Sequence, residues 1–411
     1  MTRGGARGAE RPTHLWWIVL ALAACSSSFT EVDGGGPDGS SHDAVGAPDL
    51  GDIPSCTGTA LRAHQPLGEA GDDSYEASLA PLAGGGAAVV WEESTVSGGS
   101  SSIFWARADV LGKVTGATRL LTGQDPALLR QSDGLRLFWR DASTSALMTY
   151  RLDDNGVPGS AAQKVHSPLT SSFVVADSGK VFGVALNGVS PKGDVAHFML
   201  VGHDGVAKGQ PVEVPQHGIN STLASIAWTG AGFALAWTDM RESLPAVYFA
   251  QWSDQGKRIS TDRRLSDAGV RGSFPTVAAQ AGGGIVVCYQ QKMQTDLHDI
   301  FCSRLDAGGN PTHRKRLTQN AYSSQNPQAV THGRHTWVVW DDVSDINDGT
   351  ALHWQFLTES GDTVLQQPKT FPELLGWRPH PLAAEDGLYV TKYRQTLSDG
   401  WKAELGVLNC F

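Results

Sequence analysis

One phrase recurs from residue 73 to the end of the chain, with a period of about 50 residues. A short strand leads into a Gly-rich turn and then an apolar strand that ends on a large anchor. A polar loop, a second apolar strand, an Asp/Gly turn and a mixed strand follow. The anchors are Trp91, Trp139, Leu186, Trp237, Tyr289, Trp340 and Tyr393, spaced 48, 47, 51, 52, 51 and 53 residues apart. A second marker keeps the same beat. The glycine of the turn before the last strand stands at Gly112, Gly156, Gly205, Gly256, Gly309 and Gly361. Glycine supplies the positive φ that such a turn needs. A repeat of this length means stacked or radially arranged units rather than one globular core.

Each repeat contains four short strands, A to D, and the B strands are continuous apolar runs such as Ala87-Ala-Val-Val-Trp91. Such runs fit strands covered on both faces. Four strands per repeat is the plan of a propeller blade. The expected fold is therefore all-β, a seven-bladed β-propeller of four-stranded blades over 56–411. With 48 Gly and 20 Pro in 411 residues, long helices are not expected. The chain stops just after the seventh C strand, 403–410. The missing D strand is expected from residues 57–64, Thr-Gly-Thr-Ala-Leu-Arg-Ala-His, so that the N-terminal strand closes the ring.

The cysteines agree with this plan. Cys56 opens the closing strand and Cys410 ends the strand beside it, which predicts a Cys56–Cys410 disulfide. Cys288 and Cys302 occupy the positions held elsewhere by Val90 with Trp105, Ala236 with Phe249 and Val339 with Trp354. These look like facing cross-strand sites, so Cys288–Cys302 is the second expected bond. An even number of cysteines after Cys25 suits an exported, oxidising setting.

Residues 1–24 read as an export signal. Arg3, Arg7 and Arg11 precede the apolar stretch 15–24, which is too short to cross a bilayer. The stretch ends in Leu22-Ala23-Ala24-Cys25, which resembles the lipobox of bacterial lipoproteins. That resemblance implies cleavage before Cys25, a lipid on its thiol and anchoring to a membrane, with Ser26 implying the outer membrane. Residues 25–55 carry Glu31, Asp33, Asp38, Asp43, Asp49 and Asp52 with no Lys or Arg, a composition suited to a disordered acidic tether. Removing 1–24 leaves 29 basic and 41 acidic residues. No basic stripe offsets this balance, so a nucleic-acid partner is not expected.

An acid stands two residues after the anchor in four blades: Glu93, Asp141, Asp239 and Asp342. With Arg241 they form a candidate ligand face; the alternative is that each acid bonds its own loop. In the loop 341–349, Asp342, Asp345, Asn347 and Asp348 are the candidate calcium ligands, without EF-hand spacing. Trp228, Trp377 and Trp401 fall outside the anchor series and are candidate stacking surfaces. His332 and His335 are close together with no third ligand nearby. Gly84–Gly86 and Gly282–Gly284 precede strands, so neither is a phosphate loop, and no cofactor is expected.

The phrase Trp237-Thr-Asp239-Met-Arg241, followed by Val-Tyr-Phe-Ala-Gln, resembles the repeats of bacterial extracellular propellers of the sialidase-like kind. The resemblance covers roughly 73–411. Sialidases also carry Asp-boxes, Ser-x-Asp-x-Gly-x-x-Trp, and none is present. The sequence presents no complete catalytic set. The expected function is a non-catalytic binding or scaffold module of the cell envelope, with a glycan or an envelope protein as partner. The alternative is a divergent carbohydrate-active enzyme of the sialidase-like type.

Overall fold

The computed structural model describes residues 61–68, 72–95, 101–169, 171–190, 193–217, 220–293, 297–345, 349–365, 367–396 and 400–408. Cys25, Cys56, Cys410, the signal 1–24 and the tether 25–55 lie outside the described residues.

Twenty-eight strands form seven four-stranded antiparallel sheets among these residues. β1 (Leu61–Pro66) stands ahead of six consecutive blades. Blade 1 is β2 (Asp72–Pro81), β3 (Ala87–Thr95), β4 (Ser102–Ala108) and β5 (Val114–Thr122). Blade 2 is β6 (Gln124–Gln131), β7 (Gly134–Arg140), β8 (Leu147–Leu152) and β9 (Gln163–His166). Blade 3 is β10 (Phe173–Asp177), β11 (Val181–Ser190), β12 (Gly193–Gly202) and β13 (Val212–Glu213). Blade 4 is β14 (Thr222–Trp228), β15 (Phe233–Asp239), β16 (Ala246–Trp252) and β17 (Arg263–Arg264). Blade 5 is β18 (Gly272–Ala279), β19 (Ile285–Lys292), β20 (His298–Leu305) and β21 (Pro311–Arg316). Blade 6 is β22 (Ser323–His332), β23 (His335–Asp345), β24 (Gly349–Leu357) and β25 (Lys369–Leu375). Blade 7 is β26 (Trp377–Ala384), β27 (Gly387–Thr396), β28 (Gly400–Leu408) and, from the other end of the chain, β1. The chain is a seven-bladed β-propeller. Its helical content among the described residues is the 3-10 turn Ala281–Gly283.

Every anchor lies on the second strand of its blade and is buried. The apolar character of the B strands has a direct cause: alternate side chains enter different inter-blade cores. Ala87, Val89 and Trp91 pack with Tyr389, Tyr393 and Val407 of blade 7, whereas Ala88 and Val90 pack with Leu137 and Trp139 of blade 2. The same division repeats around the ring, so the core consists of clusters between adjacent blades. Each A strand packs on the A strands of its neighbours, which places the A strands around the axis. The D strand is the outer edge, and β5 is accordingly mostly exposed and polar.

Ring closure is observed between β1 and β28, with Ala63 opposite Val407 and Pro66 opposite Glu404. The pairing therefore continues to Pro66 rather than ending at His64. Further bonds hold the seam. Gln65 Nε2 donates to Gly112 O of blade 1 at 2.8 Å, and the Trp401 N–H donates to Asp73 Oδ1 at 2.7 Å. Cys288 faces Cys302 in register and forms the expected disulfide. Val90 with Trp105, Ala236 with Phe249 and Val339 with Trp354 face each other in the same way.

Adjacent A strands splay apart too widely to share a ladder, and hydroxyls bridge them. Leu128 N–H donates to Ser78 Oγ (3.0 Å), Val277 N–H to Ser225 Oγ (3.1 Å) and Ala329 N–H to Thr276 Oγ1 (3.1 Å). Thr276→Val keeps the shape but leaves the buried Ala329 N–H unpaired. Urea unfolding should show a loss of about 1–3 kcal/mol. Removing the disulfide with Cys288→Ala and Cys302→Ala, 14 residues apart, should cost about 3 kcal/mol by chain entropy, measured the same way.

Candidate functional site

Three of the four acids proposed for a ligand face are engaged inside the fold. Residues i and i+2 of a strand share a face, so each acid lies directly beyond its anchor's indole. Trp91 Nε1 donates to Glu93 Oε2 at 3.0 Å, Trp237 Nε1 to Asp239 Oδ2 at 3.1 Å and Trp340 Nε1 to Asp342 Oδ1 at 3.1 Å. All three carboxylates are buried. A buried indole N–H needs an acceptor, and the acid supplies it. The fourth, Asp141, is accessible and closes its own loop. Its Oδ1 accepts the N–H groups of Ser143 and Thr144 and both hydroxyls, which holds its carboxyl below the usual range. Arg241 bonds Asp239 Oδ2 (2.7 Å) and Asp262 Oδ2 (2.8 Å) and lies over the Tyr248 ring.

The calcium reading meets the same geometry. Asp342 also accepts from Asn320 Nδ2 at 2.6 Å and faces His353 Nε2 at 3.4 Å. Asp345 ends β23, while Asn347 and Asp348 lie outside the described residues. Among the described residues no group of three His, Cys, Asp or Glu side chains could hold a metal ion. His332 and His335 face each other across the β22–β23 turn.

The structure brings a different set together on the axis. The A strand of every blade but the third carries a bulge at one corresponding position, where the register with strand B slips. In blades 1, 2, 5, 6 and 7 the leading bulged residue is Glu76, Asp125, Phe274, Asn326 and Arg378, each left-handed with φ between 48° and 53°. In four blades a buried proline follows: Pro126, Pro275, Pro327 and Pro379. Residues in the bulge are unpaired, so the N–H that proline lacks costs no ladder bond. All five leading residues are at least partly accessible. Non-glycine residues in this conformation are strained and concentrate at functional sites.

These groups interact within and across blades. Arg140 Nε pairs with Asp125 Oδ2 at 2.7 Å. Burial and the nearby Asp125 carboxylate raise the Glu76 carboxyl to about 7, against the pull of Arg378 and Arg140. The Tyr393 hydroxyl accepts the Ala77 N–H at 3.2 Å, and burial together with Glu76 pushes its pKa far up. Burial and Arg378 lower His380 to about 4, so its imidazole is neutral. Asp341, fully buried behind Asn326, accepts from Asn326 Nδ2 on both oxygens at 3.1 Å, and burial raises it to about 7. Trp377, next to Arg378, is 37% exposed. Trp228 instead packs on Phe233, and Trp401 is partly buried against the blade 7–blade 1 core.

The chain matches no protein-family model and no curated protein. Among solved structures it is similar to a protein of unknown function from Dyadobacter fermentans DSM 18053, at 13% identity, covering 86% of this chain and 99% of that one with a TM-score of 0.51. It is similar to polysaccharide lyase Uly1 at 9% identity, covering 79% and 88%, with a TM-score of 0.51. A Penicillium chrysogenum α-L-arabinanase matches at 12% identity, covering 82% and 93%, with a TM-score of 0.49. At these identities the likeness is one of fold.

Glu76 and Asp341 make stability fall with rising pH. Between about pH 4 and pH 7 the folded state keeps protons on both that the unfolded chain has released, so it loses ground as the solution becomes more basic. His380, lowered to about 4, opposes this below about pH 6.5, where the unfolded chain takes up a proton that the folded state does not. The two carboxyls outweigh it, and urea unfolding at pH 5 and pH 7.5 should still differ by about 1–3 kcal/mol in favour of pH 5. Asp341→Asn should reduce the difference.

Proposed function

We propose that this chain is an exported, lipid-anchored propeller of the cell envelope that binds a glycan at the mouth of its central channel. The observation that carries this reading is the pairing of an exposed Trp377 with the bulged residues beside it. An exposed indole adjoining Arg378 in the chain, on the same ring of A strands as Asn326, Glu76 and Asp125, would offer what a sugar requires: an apolar platform and several hydrogen-bonding groups. Polysaccharide lyase Uly1 provides a precedent for this class of ligand on the same architecture. The lipobox-like Leu22–Cys25 and the acidic tether 25–55 support attachment to a membrane, with the outer membrane as the expected location.

A second reading, a glycan-cleaving enzyme, is favoured by one feature. Glu76, at about 7, keeps a proton near neutrality while Asp125, its neighbour on the next blade, is ion-paired to Arg140. A protonated carboxyl beside an ionised one is the pairing that acid–base cleavage of a glycosidic bond uses.

Oligosaccharide arrays and titrations with the purified chain test the first reading. Trp377→Ala should weaken glycan binding about tenfold without lowering the melting temperature. An empty array with an envelope protein captured instead would move the assignment to a scaffold. Turnover of any glycan that is lost in Glu76→Gln would establish the enzyme. Cys25→Ala should shift the chain from the membrane fraction to the soluble fraction.

A further inference from the structure

Deepening the glycan-binding reading, on which this inference rests, we infer that the polar residue one position beyond the buried anchor is the positioning residue of the mouth. It acts by holding the backbone of the bulge on the next blade. Glu92, Gln290 and Asp341 occupy this position in blades 1, 5 and 6. The Asp125 N–H donates to Glu92 Oε2 at 3.0 Å, and the Asn326 N–H donates to Gln290 Oε1 at 3.0 Å. The Arg378 N–H likewise bonds Asp341. In each case a side chain of one blade fixes the first residue that the next blade presents to the channel.

Three features separate this arrangement from ordinary packing. The acceptors are buried, at 3%, 4% and 0% exposure, on strands whose other positions are largely apolar. Burying a carboxylate or an amide there is costly unless its bonds are needed. The residues they hold are left-handed and non-glycine, a conformation that costs about 1–2 kcal/mol and persists only when the surroundings impose it. Blade 2 supplies the contrast. Its corresponding residue is Arg140, which has no acceptor and turns back to Asp125 of its own blade. The pairing of β10 with β11 in the following blade runs without a register slip. Thr238 of blade 4 is short and its hydroxyl finds no partner, although the next blade still bulges at Phe274, so the polar acceptor fixes the bulge in blades 2, 6 and 7 rather than creating it. At the seam the role passes to the anchor itself, since Tyr393 accepts the Ala77 N–H. The mouth is thus preset before any ligand arrives, which spares the ligand the cost of ordering it.

The test compares Glu92→Leu, which removes the acceptor, with Glu92→Gln, which retains one; Gln290→Leu is the second site should Glu92→Leu fail to fold. Amide hydrogen exchange and oligosaccharide titration are the readouts. In Glu92→Leu the Asp125 amide should exchange at least tenfold faster while the Ala329 amide, on the far side of the ring, is unchanged. Affinity for the bound oligosaccharide should fall at least fivefold. Glu92→Gln should restore both. In Gln290→Leu the faster amide should be that of Asn326. Unchanged protection of Asp125 in Glu92→Leu, or an equal loss of affinity in the Leu and Gln variants, would overturn the inference. A wild-type chain that binds no glycan would defeat the glycan reading alone, and the exchange rates would still decide the positioning role.

Discussion

The inner edge of each blade is the point on which the structure depends. A strand edge carries unpaired N–H and C=O groups, and those on the axis face neighbours too divergent to complete a ladder. The chain resolves this with side chains from the preceding blade. Ser78, Ser225 and Thr276 receive N–H groups midway along the next A strand. Glu92 and Gln290 receive the N–H of the bulge at its start. Each of these bonds ties one blade's sheet to the next one's backbone.

The same arrangement separates support from presentation along a single strand end. In blades 1 and 6, the anchor fills the core, the residue after it reaches the next blade, and the acid after that accepts the anchor's indole. Trp340, Asp341 and Asp342 show all three tasks in sequence. The partly accessible residues come from the A strand instead, led in five blades by the left-handed residue of the bulge.

Much of the fold was legible in the sequence. The anchor beat, the turn glycines and the two-sided apolar B strands encode blade count, strand order and the borrowed closing strand. The Cys288–Cys302 pairing was readable because facing sites recur in register across blades. The site was less legible. The acids after the anchors stood out as charged residues at a constant spacing, yet three of them serve the indoles. The bulge had a weaker signature: Pro126, Pro275, Pro327 and Pro379, each thirteen or fourteen residues before an anchor. The residue before each proline varies as Asp, Phe, Asn and Arg, so no conserved chemistry marks the position.

Periodicity determined the architecture because burial is a one-dimensional pattern: an apolar run with a fixed repeat has to be covered on both faces wherever it occurs. Tertiary structure alone decided which charges meet. Glu76, Asp125, Arg140 and Arg378 are separated by up to about 300 residues of chain, and only ring closure brings blade 7 beside blade 1. A carboxyl whose pKa is set by burial and by neighbours from other blades cannot be read from its own repeat, since the field acting on it exists only once the ring has formed.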